Sequence, residues 1–398
     1  MESKVKRTLH TSQWVIAKVK QCFKFRNGKG FSGVLKSFPD EEFCHPVYGG
    51  NGIIGYSDKY LLEEPTIIVG RVGEYCGNVF KTQNKSWVTD NAMMVCDILL
   101  EDYDIDFWVV MLNSLSFNHY SDSTGQPKIT QGGIGAISFK YPSEKEEQTA
   151  IANILSKVDE AIASIQNSIA AAERLKKSLM QNLLTGKMKP DGTFRTSEEF
   201  YIDDKFGKVP VGWHWGRLSE IADIIAGQSP QGEYYNVNGM GKPMLNGPTE
   251  FTDKYPVPVQ WTTKITKLCK KGDILFTVRG SSTGRMNLAD QEYCIGRGLA
   301  AIRPKSNNNI YFIYYTLLKI SEMILAEAKG AGTTFPNVSR GELMKKVILI
   351  PDTHQNEIIA PIEQVASFSN SKQRSIDKLE ILKKSLMQNL LTGRIKIL

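Results

Sequence analysis

Leu175-Lys176-Lys177-Ser178-Leu179-Met180-Gln181-Asn182-Leu183-Leu184-Thr185-Gly186 occurs again, letter for letter, as Leu382 to Gly393, 207 positions later. A chance match of that length is implausible, and a period so long is not that of a solenoid. The chain therefore reads as a duplication: two similar halves, each closed by one helix. Back from Leu183, apolar residues fall at Leu179, Leu175, Ala172, Ile169, Ile165, Ile162, Val158, Leu155 and Ile151. Gaps of four and three alternate, the seam of a coiled coil, with one slip near Ala172. The second copy repeats the seam at Leu390, Leu386, Leu382, Leu379, Ile376, Val365, Ile362 and Ile358, with Ser369 and Lys372 standing where Ile162 and Ile165 stand in the first. Each pattern runs for roughly 40 residues, or about 60 Å of helix, too long to cover one small domain. The spacing predicts two long helices paired antiparallel. Pro361 falls in the first turns of the second and is expected to bend it.

The 398 residues suffice for two or three domains with their own cores. Six cysteines without a CxxC pair or zinc spacing read as reduced thiols of a cytoplasmic protein. The N-terminus has no apolar signal core, and no run is apolar enough to span a bilayer. Net charge is only +7, but its distribution is uneven. Residues 1–36 carry nine Lys or Arg against one acid, and residues 264–303 carry eight against three. One basic stretch in each half suits phosphate contact.

The first globular segment holds Asn27-Gly28-Lys29-Gly30, the Gly-rich run Tyr48 to Tyr56, a strand over Thr66–Val69, and Gly70-Arg71-Val72-Gly73. A helix is expected over Asp106–Leu115 and a strand over Ala136–Lys140, before Pro142 and the first long helix. A polar connector, Lys187 to Val209, leads to Pro210-Val211-Gly212-Trp213, which opens the second segment. There Val278-Arg279-Gly280 with Gly284 answers Arg71-Val72-Gly73 with Gly77, and Asn337-Val338-Ser339 answers Lys128-Ile129-Thr130. The frame is similar and the loops differ, the pattern of two readers built alike and aimed at different targets.

Motifs of catalysis are missing from the sequence. Gly227 to Gly232 has the glycine spacing of a phosphate loop but is followed by Glu233. There is no adenine-methyltransferase signature, the five histidines are scattered, and neither Asp40 nor Asp352 is followed by the Glu-x-Lys of a nuclease. What remains is a binder, since Gly-rich loops allow close backbone approach and Gln, Asn and Arg can read base edges. The candidates for DNA contact are Lys29, Tyr48, Asn51, Arg71, Gln126, Lys128 and Gln131 in the first segment. In the second they are Gln228, Ser229, Asn246, Arg279, Arg285, Thr333, Thr334 and Arg340.

Two variable segments, each followed by a long helix ending in Leu-Leu-Thr-Gly, resemble the DNA-specificity subunit of type I restriction-modification systems. The resemblance covers the whole chain. Its most specific parts are the duplicated twelve residues, Pro210-Val211-Gly212-Trp213, Tyr48-Gly49-Gly50-Asn51-Gly52 and the helix starts at Gln148 and Gln355. One departure is the N-terminus, where only Gln13-Trp14 stands in place of Pro-x-Gly-Trp.

The resemblance implies an α+β, pseudo-twofold fold in which two target-recognition domains are separated by two long antiparallel coiled-coil helices. Its expected boundaries are 1–143 and 187–351 for the two domains (the second with its connector), 144–186 for the central helix and 352–398 for the C-terminal helix. It implies a non-catalytic chain that binds double-stranded DNA and assembles with two methyltransferase subunits and with restriction or translocase subunits. S-adenosylmethionine, ATP and Mg belong on those partners, and no membrane is involved. Identical helix ends offer one docking surface twice, so Lys176, Lys177, Gln181 and Asn182, with Lys383, Lys384, Gln388 and Asn389, are the expected partner contacts. The alternatives are a coiled-coil scaffold whose domains bind proteins, and a self-sufficient nuclease or methylase.

Overall fold

A computed structural model describes residues 13–122, 126–305, 307–330 and 336–397. The chain divides into two compact units, one formed by residues 1–166 with 373–398 and the other by 167–372.

In the first unit, β1 (Trp14–Lys18), a short helix α1 (Val19–Cys22) and β2 (Phe23–Asn27) are followed by the hairpin β3 (His45–Gly49) and β4 (Gly52–Ser57). Strands β5 (Ile67–Gly70), β6 (Val79–Lys81), β7 (Trp87–Val88) and β8 (Ala92–Ile98) precede helices α2 (Ile105–Ser114) and α3 (Gln131–Gly135), then β9 (Ser138–Pro142) and the long helix α4 (Lys145–Leu183). The strands form a sheet of order β2-β8-β5-β6, a smaller one of order β4-β3-β7, and the pair β1-β9. Expected and observed elements agree to within two residues: the strand begins at Ile67, the helix at Ile105 and the last strand at Ser138.

The second unit repeats this plan. After the connector hairpin β10 (Phe200–Asp203) and β11 (Gly207–Pro210) come β12 (Trp213–Arg217), α5 (Leu218–Ile221) and β13 (Ala222–Ala226). Then follow β14 (Tyr235–Asn236), β15 (Lys242–Leu245), β16 (Gln260–Thr262), β17 (Ile274–Thr277), β18 (Met286–Leu288), β19 (Cys294–Ile295) and β20 (Leu299–Pro304). Helices α6 (Ile310–Gly330) and α7 (Arg340–Lys345), strand β21 (Val347–Pro351) and the long helix α8 (Gln355–Leu390) complete it. The sheets are β13-β20-β17-β18 and β14-β16-β15-β19, with β12 paired to β21. Trp14 opposes Pro142 and Trp213 opposes Pro351, so the duplication preserves register as well as order.

Each long helix begins in one unit and finishes in the other. Ile151 and Leu155 at the start of α4 join the core of the first unit, while Leu183 and Leu184 at its end join the core of the second. Helix α8 does the reverse, with Ile358, Ile359 and Ile362 in the second core and Leu390 and Leu391 in the first. The Leu-Leu-Thr-Gly ends thus close the opposite domain, not the domain they follow, which corrects the reading of each half as closed by its own helix. The apolar seam alone could not distinguish the two arrangements. Within the first unit Lys383 Nζ lies 2.6 Å from Asp159 Oδ1, seven residues before Leu390 and four after Leu155, so the two helices run antiparallel there. Helix α8 continues unbroken through Pro361.

A buried glutamine sets each helix start. Gln148 accepts from Asp104 N (2.9 Å) and donates to Pro142 O (2.9 Å), tying α4 to the N-terminus of α2 and the end of β9. Gln355 accepts from Asn309 N (2.7 Å) and donates to Asn308 Oδ1 (3.0 Å), the same tie between α8 and α6.

Candidate nucleic-acid interface

In the first unit β2 and β5 end, and β8 begins, at one edge of the four-stranded sheet, since Asn27 opposes Met93 and Gly70 opposes Ala92. Loops gather at that edge through backbone hydrogen bonds. Gly28 N donates to Ala92 O, Lys29 N to Val88 O and Thr89 N to Tyr48 O, each at 2.9 Å. Arg71 N reaches Asn91 O at 2.8 Å, Gly73 N reaches Pro127 O at 2.9 Å, and Ile129 N reaches Arg71 O at 2.9 Å. Five stretches far apart in sequence become one continuous rim.

The second unit makes the same bonds. Gly227 N donates to Leu299 O, Gln228 N to Ile295 O and Gly296 N to Leu245 O, at 2.8–2.9 Å. Val278 N meets Gly298 O, Gly280 N meets Pro336 O and Val338 N meets Val278 O, each at 2.9 Å. Close approach explains the shared glycine that leads each rim. A Cβ on Gly28 would lie 2.1 Å from Thr89 O, and one on Gly227 would lie 2.2 Å from Gly296 O. Backbone cannot yield at such distances, so both positions require glycine.

The side chains on this common frame differ. In the first rim Lys29, Asn51, Gln126, Lys128 and Gln131 are exposed and Arg71 is half-buried. Asn51 Oδ1 accepts from Asn78 Nδ2 (3.1 Å), Gln131 Nε2 donates to Asn27 Oδ1 (3.4 Å), and Arg71 Nη1 donates to Asp90 O (3.2 Å). Tyr48 is a correction. It is 4% exposed in a small apolar cluster, its hydroxyl accepts from Gln83 N (3.1 Å), and burial pushes its phenol pKa up. Only its carbonyl serves the rim.

In the second rim Gln228 and Arg279 are exposed, and Ser229 and Asn246 are half-buried and turned to structural work. Ser229 Oγ accepts from Arg297 N (3.1 Å), and Asn246 Nδ2 donates to Gln260 Oε1 (3.0 Å). Arg285 is exposed and lines a groove with Tyr314, Leu318 and Glu322 on α6, at the end of the β17–β18 loop that begins with Val278 to Gly280. Arg340 is fixed by its Nε to Ile224 O at 2.7 Å. Thr333 and Thr334 lie outside the described residues.

The two arginines of the paired motif do not occupy one position. The bond pattern equates Arg71 with Val278 and Val72 with Arg279, which bridges Asn337 as Val72 bridges Lys128. Neighbours in extended backbone point to opposite faces, so the two rims present their guanidinium groups differently. The basic stretches also divide. Lys24 pairs with Asp97 and Lys36 with Asp40, each within 2.8 Å. Arg303 grips buried Asp273 through two bonds of 2.9 and 2.7 Å and is structural. Lys270 and Lys271 precede β17 and so sit at the far end of the sheet from the rim. Arg297, exposed between Gly296 and Gly298 in the middle of the rim, is the residue missing from the candidates. Its glycine-flanked arginine was the available signal.

On the helices, Lys177, Lys384, Gln181 and Gln388 are exposed in both copies. Asn182 and Asn389 donate to the carbonyls of Ser178 and Ser385 four residues back (3.0 and 2.9 Å). Lys176 and Lys383 diverge: the first lies 5.9 Å from the Tyr315 ring centroid and the second pairs with Asp159. Leu175 and Leu382, equivalent seam positions, are 52% and 47% exposed. Among the described residues no helix is long and apolar enough to cross a membrane.

The model of the type I restriction modification DNA specificity domain matches the chain twice, over residues 11–174 and 210–380. The MjaX type I restriction enzyme specificity subunit of Methanocaldococcus jannaschii is 34% identical over 279 residues, 69% of this chain and 63% of that relative. The MjaVIII specificity subunit of the same organism is 24% identical over 87% of this chain and 80% of its own. A crystal structure of the type I restriction-modification S subunit from M. genitalium superposes with a TM-score of 0.66 at 17% identity, covering 97% of this chain and 98% of that one. This chain spans less than two thirds of the MjaX subunit's length.

Proposed function

The chain belongs to the type I restriction-modification DNA specificity family, and from that premise we propose that it is the non-catalytic subunit that reads the target. In this reading each rim contacts one half of an interrupted, asymmetric DNA sequence, and the long helices set the spacer between the halves. The repeated helix ends dock two copies of a methyltransferase subunit, which bring S-adenosylmethionine, with ATP and Mg supplied to restriction subunits. All of this takes place in the cytoplasm.

One observation carries the reading: the rim is reproduced bond for bond in both units while its exposed side chains differ. A shared frame with unlike polar side chains is what two unlike half-sites require, because backbone contacts position and base-edge contacts specify. The exposed Leu175 and Leu382, inside identical sequence, support a doubled apolar docking point. The test is exchange of residues 1–143 for the corresponding domain of another family member, followed by mapping of methylated adenines in a host carrying the complete system. One half of the site should change and the other should persist. Alteration of both halves, or of neither, defeats the proposal.

A further inference from the structure

Within the second unit, where the end of α4 and the connector meet β12, β21 and α6, lies a cavity of about 530 Å³. That volume is in the range of small-molecule sites, about 300–1,000 Å³. Four cations line it, Lys187, Arg195, Lys208 and Lys319, and no carboxylate does. Among the described residues, no acid forms an ion pair with any of the four. Glu199 pairs with Lys189 at 2.7 Å and feels Arg195 only as a minor influence. Arg195 is otherwise held by donating to Gly186 O at 2.6 Å.

Two further donors stand in the same wall without acceptors. Thr316 is 6% exposed, and among the described residues neither its hydroxyl nor the buried indole Nε1 of Trp215 has a hydrogen-bond partner. A buried polar group left unpaired costs about 1–3 kcal/mol, so two in one cavity call for an acceptor from outside. Crowding by surrounding protein, and then the Lys187 charge, push the Lys319 ammonium pKa down. Apart from Thr185 and Ser197 the rest of the wall is apolar, with the Trp215 ring stacked on Phe206 at 4.9 Å.

We propose that this cavity binds a small phosphate-bearing molecule of the nucleotide class. Its phosphate sits between Lys187 and Lys319 with the Thr316 hydroxyl donating, and its planar part lies against the apolar wall at Trp215. A phosphate suits the site better than a carboxylate, because its greater charge and additional acceptor oxygens match three ammonium groups, one guanidinium and two lone donors. The site is separate from the DNA-reading rim and does not depend on that reading. Because a DNA backbone phosphate offers the same chemistry, the experiment distinguishes the sources.

The test is isothermal titration of the full chain, with any subunits that co-purify, using AMP, inorganic phosphate and a short DNA duplex in turn. AMP is expected to bind more tightly than inorganic phosphate. Thr316→Val, which keeps shape and removes the donor, and Lys319→Gln should each weaken AMP by roughly tenfold and leave duplex affinity unchanged. Absence of AMP binding at about 10 mM in the wild-type chain overturns the proposal, since that is weaker than about 3 kcal/mol of binding. So does AMP affinity no greater than that of inorganic phosphate, or unaltered by both variants. Loss of duplex affinity in Lys319→Gln without AMP binding in the wild type assigns the cations to the DNA backbone instead.

Discussion

Replacing Gly186 by alanine tests which domain each repeated helix end holds closed. Gly186 ends the first copy of the repeat at φ +62°, a left-handed conformation, and a Cβ there would lie 2.5 Å from Pro210 Cγ and 3.3 Å from Trp213 Cε2. The backbone conformation costs an alanine about 1–2 kcal/mol, and forcing a methyl group against a packed ring costs about 1–3 kcal/mol more. A combined loss of about 2–5 kcal/mol is large beside a total stability of about 5–15 kcal/mol. Pro210 and Trp213 belong to the second unit, so the loss should fall there. Hydrogen exchange on the full chain reads the effect by region. Amides of β12 and β21 should exchange about 30 to 4,000 times faster in Gly186→Ala, at about 1.4 kcal/mol per tenfold, while β1 and β9 keep their protection. Gly393→Ala, whose Cβ would meet Trp14 Cδ2 at 2.9 Å, should open β1 and β9 and spare β12. Loosening of β1 and β9 by Gly186→Ala would refute the reasoning, because it would mean that each helix end stabilises the domain it follows.

Other outcomes follow from single contacts. Gln148→Ala leaves Asp104 N and Pro142 O unpaired inside the first unit and should cost about 2–4 kcal/mol in urea unfolding. An effect no larger than that of a surface substitution would show that Gln148 is dispensable. Asp273→Ala removes a 2% exposed carboxylate from Arg303 and from Lys270 N, and should destabilise the second unit by about 3 kcal/mol. Unchanged unfolding of that unit would contradict the structural role of the pair. Arg297→Ala and Arg279→Ala should each weaken DNA binding of the assembled complex by about 1–3 kcal/mol if they meet bases, with the loss confined to one half of the target. Wild-type affinity in both would move the reading surface off this part of the rim.

Sequence alone determined the duplication, the two long helices and the loops worth inspecting. Those follow from local rules: a twelve-residue identity, a four-three apolar spacing, and glycines where backbones must approach. Gln148 and Gln355, matching helix starts in the sequence, keep the same hydrogen bonds in space. Tertiary structure decided what depends on contacts distant in sequence. A helix that packs on either of two similar cores has the same periodicity, so only the placement of Gly186 against Trp213 and of Gly393 against Trp14 reveals the exchange. Tyr48 looked like a reader because its neighbours are polar and Gly-rich, and strand pairing with Val88 buried it. The one-residue offset between Arg71 and Arg279 was already legible in the aligned glycines, and the backbone bonds turn it into a difference of face, since extended chain points adjacent side chains to opposite sides.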